Sequence, residues 1–291
     1  MKASLREITR AIAAAEMAAT GGFAARAAAA EEMEFIGFEL QRLLEEHRDP
    51  HGRLRPWLER TVALCGEMES ANLRVLARLR GRIRAGRTTP GGLHRALERH
   101  SGPAGPAGTY DGMDLLVQGL LRQGEPAEPR RALGEDMVPY QPTPARAILE
   151  LVRKCGLGPD DLLVDLGSGL GQVTLLAALL SGARALGVEW EPAYVDYARQ
   201  CALSLALERV EFIQADARQA PLSGGTVYYL YTPFRGSVLR EVLARLEAEA
   251  RGRTFKLCTY GPCTQWVSRE AWLETSVAGT DASPMAVFQT L

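Results

Sequence analysis

The densest chemistry in the chain lies in "LLVDLGSGLGQV", Leu162 to Val173. An apolar run ends in Asp165, three glycines follow at alternate positions, Gly167, Gly169 and Gly171, and a helical pattern starts at Gln172. A main chain without Cβ atoms can turn through φ > 0 and let a ligand lie directly against it. In an open α/β sheet, ligands collect beyond the carboxyl ends of the strands, where this bend would fall. A carboxylate just ahead of the bend suits a cationic amino-acid moiety better than a pyrophosphate, which a helix N-terminus would favour. The competing pattern is the dinucleotide fingerprint G-x-G-x-x-G of NAD-dependent dehydrogenases. Here the third glycine comes one residue early and Gln172 stands where the dinucleotide glycine would be.

Two further acids close successive expected strands. Glu189 ends "ALGVEW", at about the spacing of a carboxylate that grips both ribose hydroxyls. Asp216 follows in "FIQADAR". One acid at a strand end reads most simply as a solvated side chain, whereas three beside one glycine loop read as a pocket for a charged nucleoside.

"VDLGSGLGQ" resembles motif I of the class I S-adenosylmethionine-dependent methyltransferases. The resemblance implies a Rossmann-like α/β domain with a mostly parallel, doubly wound sheet, S-adenosyl-L-methionine as cofactor and methyl transfer as the activity. It implies cofactor contacts from Asp165, Gly167, Ser168, Gly169, Gly171 and Gln172 in the loop, and from Glu189 and Trp190 after the second strand. Asp216 matches the residue that accepts from the adenine amino group, with Ala217 adding a backbone contact. "MVPYQPTPARAILELV" resembles the segment that precedes the first strand, in which a Tyr and a Thr close over the methionine end; Tyr140 and Thr143 match them. Thr143 also reads as a helix N-cap with Pro144 at the first helical position, and the two roles are compatible.

"YLYTPF", Tyr229 to Phe234, resembles motif IV, (Asn/Asp)-Pro-Pro-(Tyr/Phe), with Tyr231 in place of the first residue and Thr232 in place of the first proline. Loss of that acceptor argues against a planar exocyclic amine on a nucleobase as substrate. Phe234 either packs against the sulfonium methyl or belongs to the core. Tyr231, Tyr229 and Arg235 are the substrate-side candidates, with Tyr231 and Phe234 also counted among cofactor contacts. The glycine loop reads almost the same as that of the histone-lysine methyltransferases that lack a SET domain. That likeness spans about a dozen residues and fails at motif IV, so it implies fold and cofactor rather than a histone substrate.

In-line attack by a neutral nucleophile on a sulfonium methyl needs orientation above all, and no metal. No metal-ligand spacing is present. A lysine-type amine would first have to lose a proton, against an ordinary pKa of about 10.4. The four histidines, His47, His51, His94 and His100, all precede residue 101, so no catalytic base is assigned; His100, a tyrosine, a carboxylate or water could take the proton.

These residues need a scaffold, and the 291-residue chain divides by composition into a helical part at 1–100, a linker with a short helix at 101–135, and the methyltransferase domain at 136–291. In the first part, Met33, Ile36, Leu40, Leu43 and Leu44 share a helical period, as do Val62, Leu64, Leu73, Leu76 and Leu79. "DPHG" and "TTPGG" are breakers, and "SGPAGPAG" has the composition of a flexible connector. Further on, strands are expected at 162–166, 184–189, 210–214, 226–231, 254–260 and 286–290. Helices are expected at 144–154, 171–181, 192–206 and 235–249, with a short one near 266–273.

A net charge of -1 excludes a chain that is strongly basic as a whole. The local run Arg74, Arg78, Arg80, Arg82, Arg84 and Arg87 reads as a solvated helix face in an arginine-biased sequence, with lysine only at Lys2, Lys154 and Lys256. Nucleic acid is accordingly not the expected partner. Cys65, Cys155, Cys201, Cys258 and Cys263 form no Cys-x-x-Cys pair, which fits reduced thiols in a cytoplasm. Glu7 and Glu16 interrupt the apolar N-terminus, which is wrong for a signal peptide, and no uncharged run approaches the ~18 residues of a membrane span. The expected acceptor is a small molecule, and the runner-up is a protein side chain. A catalytically inactive cofactor-binding regulator or scaffold is the third reading. The helical part would serve as a substrate lid or as a homo-oligomer interface.

Overall fold

The computed structural model describes residues 5–46, 49, 52, 54–106, 108–121, 125–126, 128–280 and 284–291. His47, and Pro50 and His51 of the "DPHG" breaker, lie outside them. The chain forms two units. One comprises Met1–Gly81, Arg95–Ala104 and Asp111–Leu120; the other comprises Arg82–His94, Gly105–Tyr110 and Leu121–Leu291. The stretch read as linker is thus shared between them.

The N-terminal unit draws on helices α1 (Leu5–Ala19), α2 (Phe23–Glu45), α3 (Leu54–Arg84), α4 (Pro90–Ser101) and α5 (Gly112–Leu121). Its core gathers Ile8, Met33, Ile36, Leu40, Leu64 and Met68, with Leu43 and Leu44 packed at the margin. On α3 the buried face differs from the expected one. Leu64 and Met68 are buried together with Thr61 and Asn72, whereas Val62 and Leu73 are 62% and 64% exposed. Positions 61, 64, 68 and 72 keep the helical phase, and two polar residues complete it because they have bonds to make. Asn72 accepts from the guanidinium of buried Arg26 at 2.9 Å and donates to the Phe23 carbonyl at 3.2 Å.

The C-terminal unit is a 7-stranded sheet in the order β3-β2-β1-β4-β5-β7-β6. The strands are β1 (Leu162–Leu166), β2 (Arg184–Glu189), β3 (Val210–Gln214), β4 (Val227–Leu230), β5 (Lys256–Thr259), β6 (Leu273–Val277) and β7 (Ala286–Thr290). β3, β2, β1, β4 and β5 are parallel; β7 runs antiparallel to β5, and β6 antiparallel to β7. Helices α6 (Ala145–Cys155), α7 (Gln172–Ser181), α8 (Pro192–Ser204) and α9 (Gly236–Ala250) alternate with the strands. The near-continuous apolar runs of β1 and β4 are what a strand covered on both faces requires. The strand at β6 was not expected. Residues near 266–273 read as a helix, but the helix there, α10, ends at Val267, and "LETSV" pairs at the sheet edge with its three central residues exposed. An edge strand solvated along its length carries no apolar run for a pattern to detect.

Candidate functional site

The carboxyl ends of β1 to β4 open into a cavity of ≈ 550 Å³. Its floor is the glycine loop. Gly167 N and Ser168 N both donate to the Val188 carbonyl, at 2.8 and 3.0 Å, fastening the loop to the end of β2. Gly167, Gly169 and Gly171 all take φ between +53° and +82°. At Gly169 the glycine is required twice, by that φ and by the Tyr140 ring, which occupies the space of a side chain. Gly171 does not line the cavity. A Cβ there would meet the Phe212 ring at 2.6 Å and Ala198 at 2.9 Å, so this glycine lets α7 approach β3 and α8.

Asp165, Glu189 and Asp216, expected at three strand ends, all line the cavity. Asp165 is 3% exposed and accepts from Thr174 Oγ1 at 2.7 Å, with burial and then the neighbouring Glu189 charge raising its pKa to about 7. Glu189 accepts from Gly169 N and Glu191 N, each at 2.8 Å, and burial raises its pKa against those bonds. This carboxylate therefore shapes the glycine loop as well as facing the cavity. Asp216 is clasped by Arg218, whose Nη2 lies 2.7 Å from Oδ2; that hydrogen bond is the main reason the Asp216 carboxyl titrates below its ordinary range.

Arg218 was not among the expected residues, since an arginine two positions after an acid carries no signal by itself. Removing it leaves Asp216 free to rotate. Arg218→Ala should lower the thermal midpoint slightly at neutral pH and leave it unchanged at acid pH, where the Asp216 carboxyl is protonated. The folded pKa of Asp216 is depressed, so its contribution to stability is present above the ordinary carboxylate pKa of about 4 and is lost as pH falls further. The variant should lack that acid-limb slope.

Above the loop, Tyr140 and Tyr194 stack obliquely with ring centroids 5.6 Å apart. Thr143 is not the N-cap of α6; Pro144 is, and it leaves the Thr143 hydroxyl 3.2 Å from the Tyr229 hydroxyl. Gln172 Nε2 donates to the Thr143 carbonyl at 2.8 Å, which joins the segment before β1 to the start of α7. The same segment reaches motif IV: Met137 and Phe234 form an antiparallel bridge, and Val138 N donates to the Pro233 carbonyl at 3.2 Å. Phe234 is at once core and cavity wall. Thr232 sits at φ 41°, an uncommon conformation for a threonine, with its hydroxyl accepting from Cys263 N at 3.1 Å.

Tyr229 and Tyr231 line the cavity, as do Ala217 and Trp190, while Arg235 does not; it is exposed and serves as the N-cap residue of α9. Burial raises the Tyr231 hydroxyl to about 12. His100 belongs to the N-terminal unit, where burial and then Arg99, Arg26 and Arg78 lower its pKa, and the cavity wall contains no histidine. Pattern reasoning missed Arg131, Glu191 and Tyr194. Glu191 had a readable signal, an acid directly before Pro192 at a helix start.

Whether the residues present suit a nucleoside of methionine is tested by two orphaned polar atoms. Ser168 Oγ and Trp190 Nε1 are buried and, among the described residues, have no hydrogen-bond partner. Both residues line the cavity, and a ligand rich in hydroxyl, carboxylate and ring-nitrogen groups would satisfy them. The donor and acceptor set fits.

The family model described as "Histone methylation protein DOT1" matches residues 138–212, which run from the segment before β1 into β3. The strand order differs from the dinucleotide-binding 3-2-1-4-5-6 by a reversed strand inserted beside β5. The C-terminal unit has the mostly parallel sheet, flanked by alternating helices, of a Rossmann-like α/β domain. The DOT1 match spans 75 of the 291 residues, a segment that holds the glycine loop and stops short of motif IV. No curated protein matches. Among solved structures, this chain is similar to an RNA methyltransferase from Salinibacter ruber in complex with S-adenosyl-L-homocysteine. That pair shares 27% identity over 52% of this chain and 92% of the other, with a TM-score of 0.42. A precorrin-6y C5,15-methyltransferase from Geobacter metallireducens is similar at 16% identity over 56% and 94%, with a TM-score of 0.40.

Proposed function

We propose that the C-terminal unit transfers the methyl group of S-adenosylmethionine to a small, uncharged organic nucleophile. In this reading Asp165 faces the cofactor's ammonium group, Glu189 the ribose hydroxyls, and Asp216 with Ala217 the adenine. Trp190 walls the adenine side, and Tyr140 with Thr143 covers the methionine end. The cofactor supplies an electrophilic methyl on a sulfonium; the chain's own residues orient the acceptor and exclude water.

The observation that carries the acceptor class is the distribution of charge around the cavity. The charged lining residues, Arg131, Asp165, Glu189, Glu191 and Asp216, all belong to the ends of β1 to β3 or to the segment beside Trp190. The motif IV side presents Tyr229, Tyr231, Thr232, Pro233, Phe234 and Pro262, none of them charged. A phosphorylated or carboxylated acceptor would be desolvated there without a counter-charge, at a cost of several kcal/mol. The Tyr231 ring packs edge-on against Tyr260, centroids 4.9 Å apart, which stiffens an aromatic wall suited to an apolar body.

With its pKa near 12, the Tyr231 hydroxyl stays protonated at neutral pH and acts as a donor rather than a base. Tyr231→Phe should therefore keep kcat within about threefold and leave the pH–rate profile between about pH 7 and 9 unchanged, since general-base loss would cost 10²–10⁴-fold. A larger loss with an altered profile would make Tyr231 the proton acceptor after all.

The test uses cofactor carrying a labelled methyl group, the full-length protein and desalted cell extract separated by mass. Label in an organic-extractable, low-mass fraction is the expected result. Label on protein would overturn it in favour of a lysine-type side-chain acceptor, the reading that the DOT1 match favours. Label on RNA would overturn it as well, and cofactor binding without transfer to any fraction would mark a scaffold.

A further inference from the structure

One buried carboxylate at this site, Glu191, is left without a task by the cofactor reading. Glu191 is 5% exposed, yet it contacts no basic side chain within ion-pair distance among the described residues. Its carboxylate accepts three backbone N–H bonds. Ala193 N donates to Oε1 at 2.9 Å, capping α8; Arg130 N donates to Oε1 at 2.9 Å and Arg131 N to Oε2 at 2.8 Å. Two of the three come from a segment about 60 residues earlier in the chain. That segment carries Pro129, Arg131 and Leu133 into the cavity wall. The Arg131 guanidinium lies 4.2 Å from the centre of the Trp190 ring, and its Nη1 donates to the Trp190 carbonyl at 3.4 Å. Arg130 reaches Asp196 on α8 at 3.5 Å.

We propose that residues 128–133 form a strap across the adenosine end of the cavity, and that Glu191 is the positioning residue that latches it. The inference rests on the cofactor reading above and adds to it a gate. A carboxylate that binds successive backbone N–H groups fixes a segment with no regular secondary structure, which would otherwise have only side-chain contacts to hold it. Once latched, the strap sets Arg131 flat against one face of Trp190 and confines the ligand between that pair and the glycine loop. The guanidinium is held over the indole face by a cation–π contact and screens that face from water. Release of the demethylated product then requires the latch to open, so Glu191 governs how long the cofactor stays bound rather than how the methyl moves. The latch needs an ionised carboxylate, and its three backbone donors hold the Glu191 pKa below the ordinary value despite its burial.

The test follows dissociation of S-adenosylhomocysteine by stopped flow, with hydrogen exchange at the strap amides, in the full-length wild type, Glu191→Gln and Arg131→Ala. Glu191→Gln keeps one acceptor oxygen for the α8 cap and Arg130 N but turns an amide N–H₂ toward the N–H of Arg131, setting donor against donor. It should dissociate product about tenfold faster, with an association rate unchanged or faster, and residues 129–133 should lose exchange protection. A pocket merely damaged would associate more slowly. Arg131→Ala leaves the main-chain latch in place, so it should speed dissociation with strap protection retained. Absence of S-adenosylhomocysteine binding by the wild type would sink the cofactor reading itself. Wild-type binding with dissociation and strap protection unaltered in Glu191→Gln would sink the strap alone. Should Glu191→Gln fail to fold, unchanged dissociation in Arg131→Ala would do the same.

Discussion

Asp165→Asn is expected to weaken S-adenosylmethionine binding by about a hundredfold while leaving the protein folded. In the proposed placement of the cofactor, the loss is that of a charge-assisted contact to its ammonium group in a buried site. Asparagine keeps the size of the side chain and an acceptor for the Thr174 hydroxyl, which lies 2.7 Å away. The same replacement should change the pH dependence of two quantities. With its folded pKa raised to about 7, the Asp165 carboxylate is penalised by folding. Stability therefore falls as pH rises from the ordinary value of about 4 toward 7, and stays lower above that. Relative to wild type, Asp165→Asn should gain on the order of a few kcal/mol between about pH 4 and pH 8, measured by denaturant midpoints. Cofactor affinity in the wild type should move in the opposite sense. Protonated Asp165 cannot pair with a cation, so affinity should drop by roughly tenfold from pH 7.5 to pH 6, with a proton released on binding. Calorimetry in two buffers of different ionisation enthalpy reads that proton directly. An affinity slope identical in wild type and Asp165→Asn would show that this carboxylate does not face the ammonium.

Gly171→Ala should act on the fold and not on the ligand. Position 171 is held at φ 81°, and an added methyl would press on Phe212 and Ala198 inside 3 Å. Left-handed strain and overpacking together should cost about 3 kcal/mol of stability, seen as a lowered thermal midpoint. The folded fraction should bind S-adenosylhomocysteine within about threefold of wild type, because the glycine stands behind the loop and outside the cavity. Unchanged stability with lost affinity would return Gly171 to the ligand-facing set. The contrast with Asp165→Asn separates two reasons for one motif: close approach of a ligand, and close approach of a helix to a strand.

Much of the C-terminal unit was legible residue by residue. The strands at 162–166, 184–189, 210–214 and 286–290 begin and end in the structure where their patterns begin and end. Where a strand is covered on both faces, as β1 is, an apolar run along its length survives in the sequence. The cavity likewise assembles the three strand-end acids, because every parallel strand delivers its last residue to the same edge. On α3, by contrast, the apolar letters misplace the buried face. Thr61 and Asn72 take the inward positions because hydrogen bonds satisfy them, and Val62 and Leu73 are left outside.

The sequence by itself determined the parallel α/β order, the glycine bend and the acids that border it, since each is a local consequence of residue type and spacing. Tertiary structure alone decided that Thr143 bonds Tyr229 instead of capping its helix, that Arg218 clasps Asp216, and that Glu191 holds main chain about 60 residues away. These are choices among hydrogen-bond partners. A polar side chain leaving water must find some partner, and only the packed chain fixes which one lies within reach.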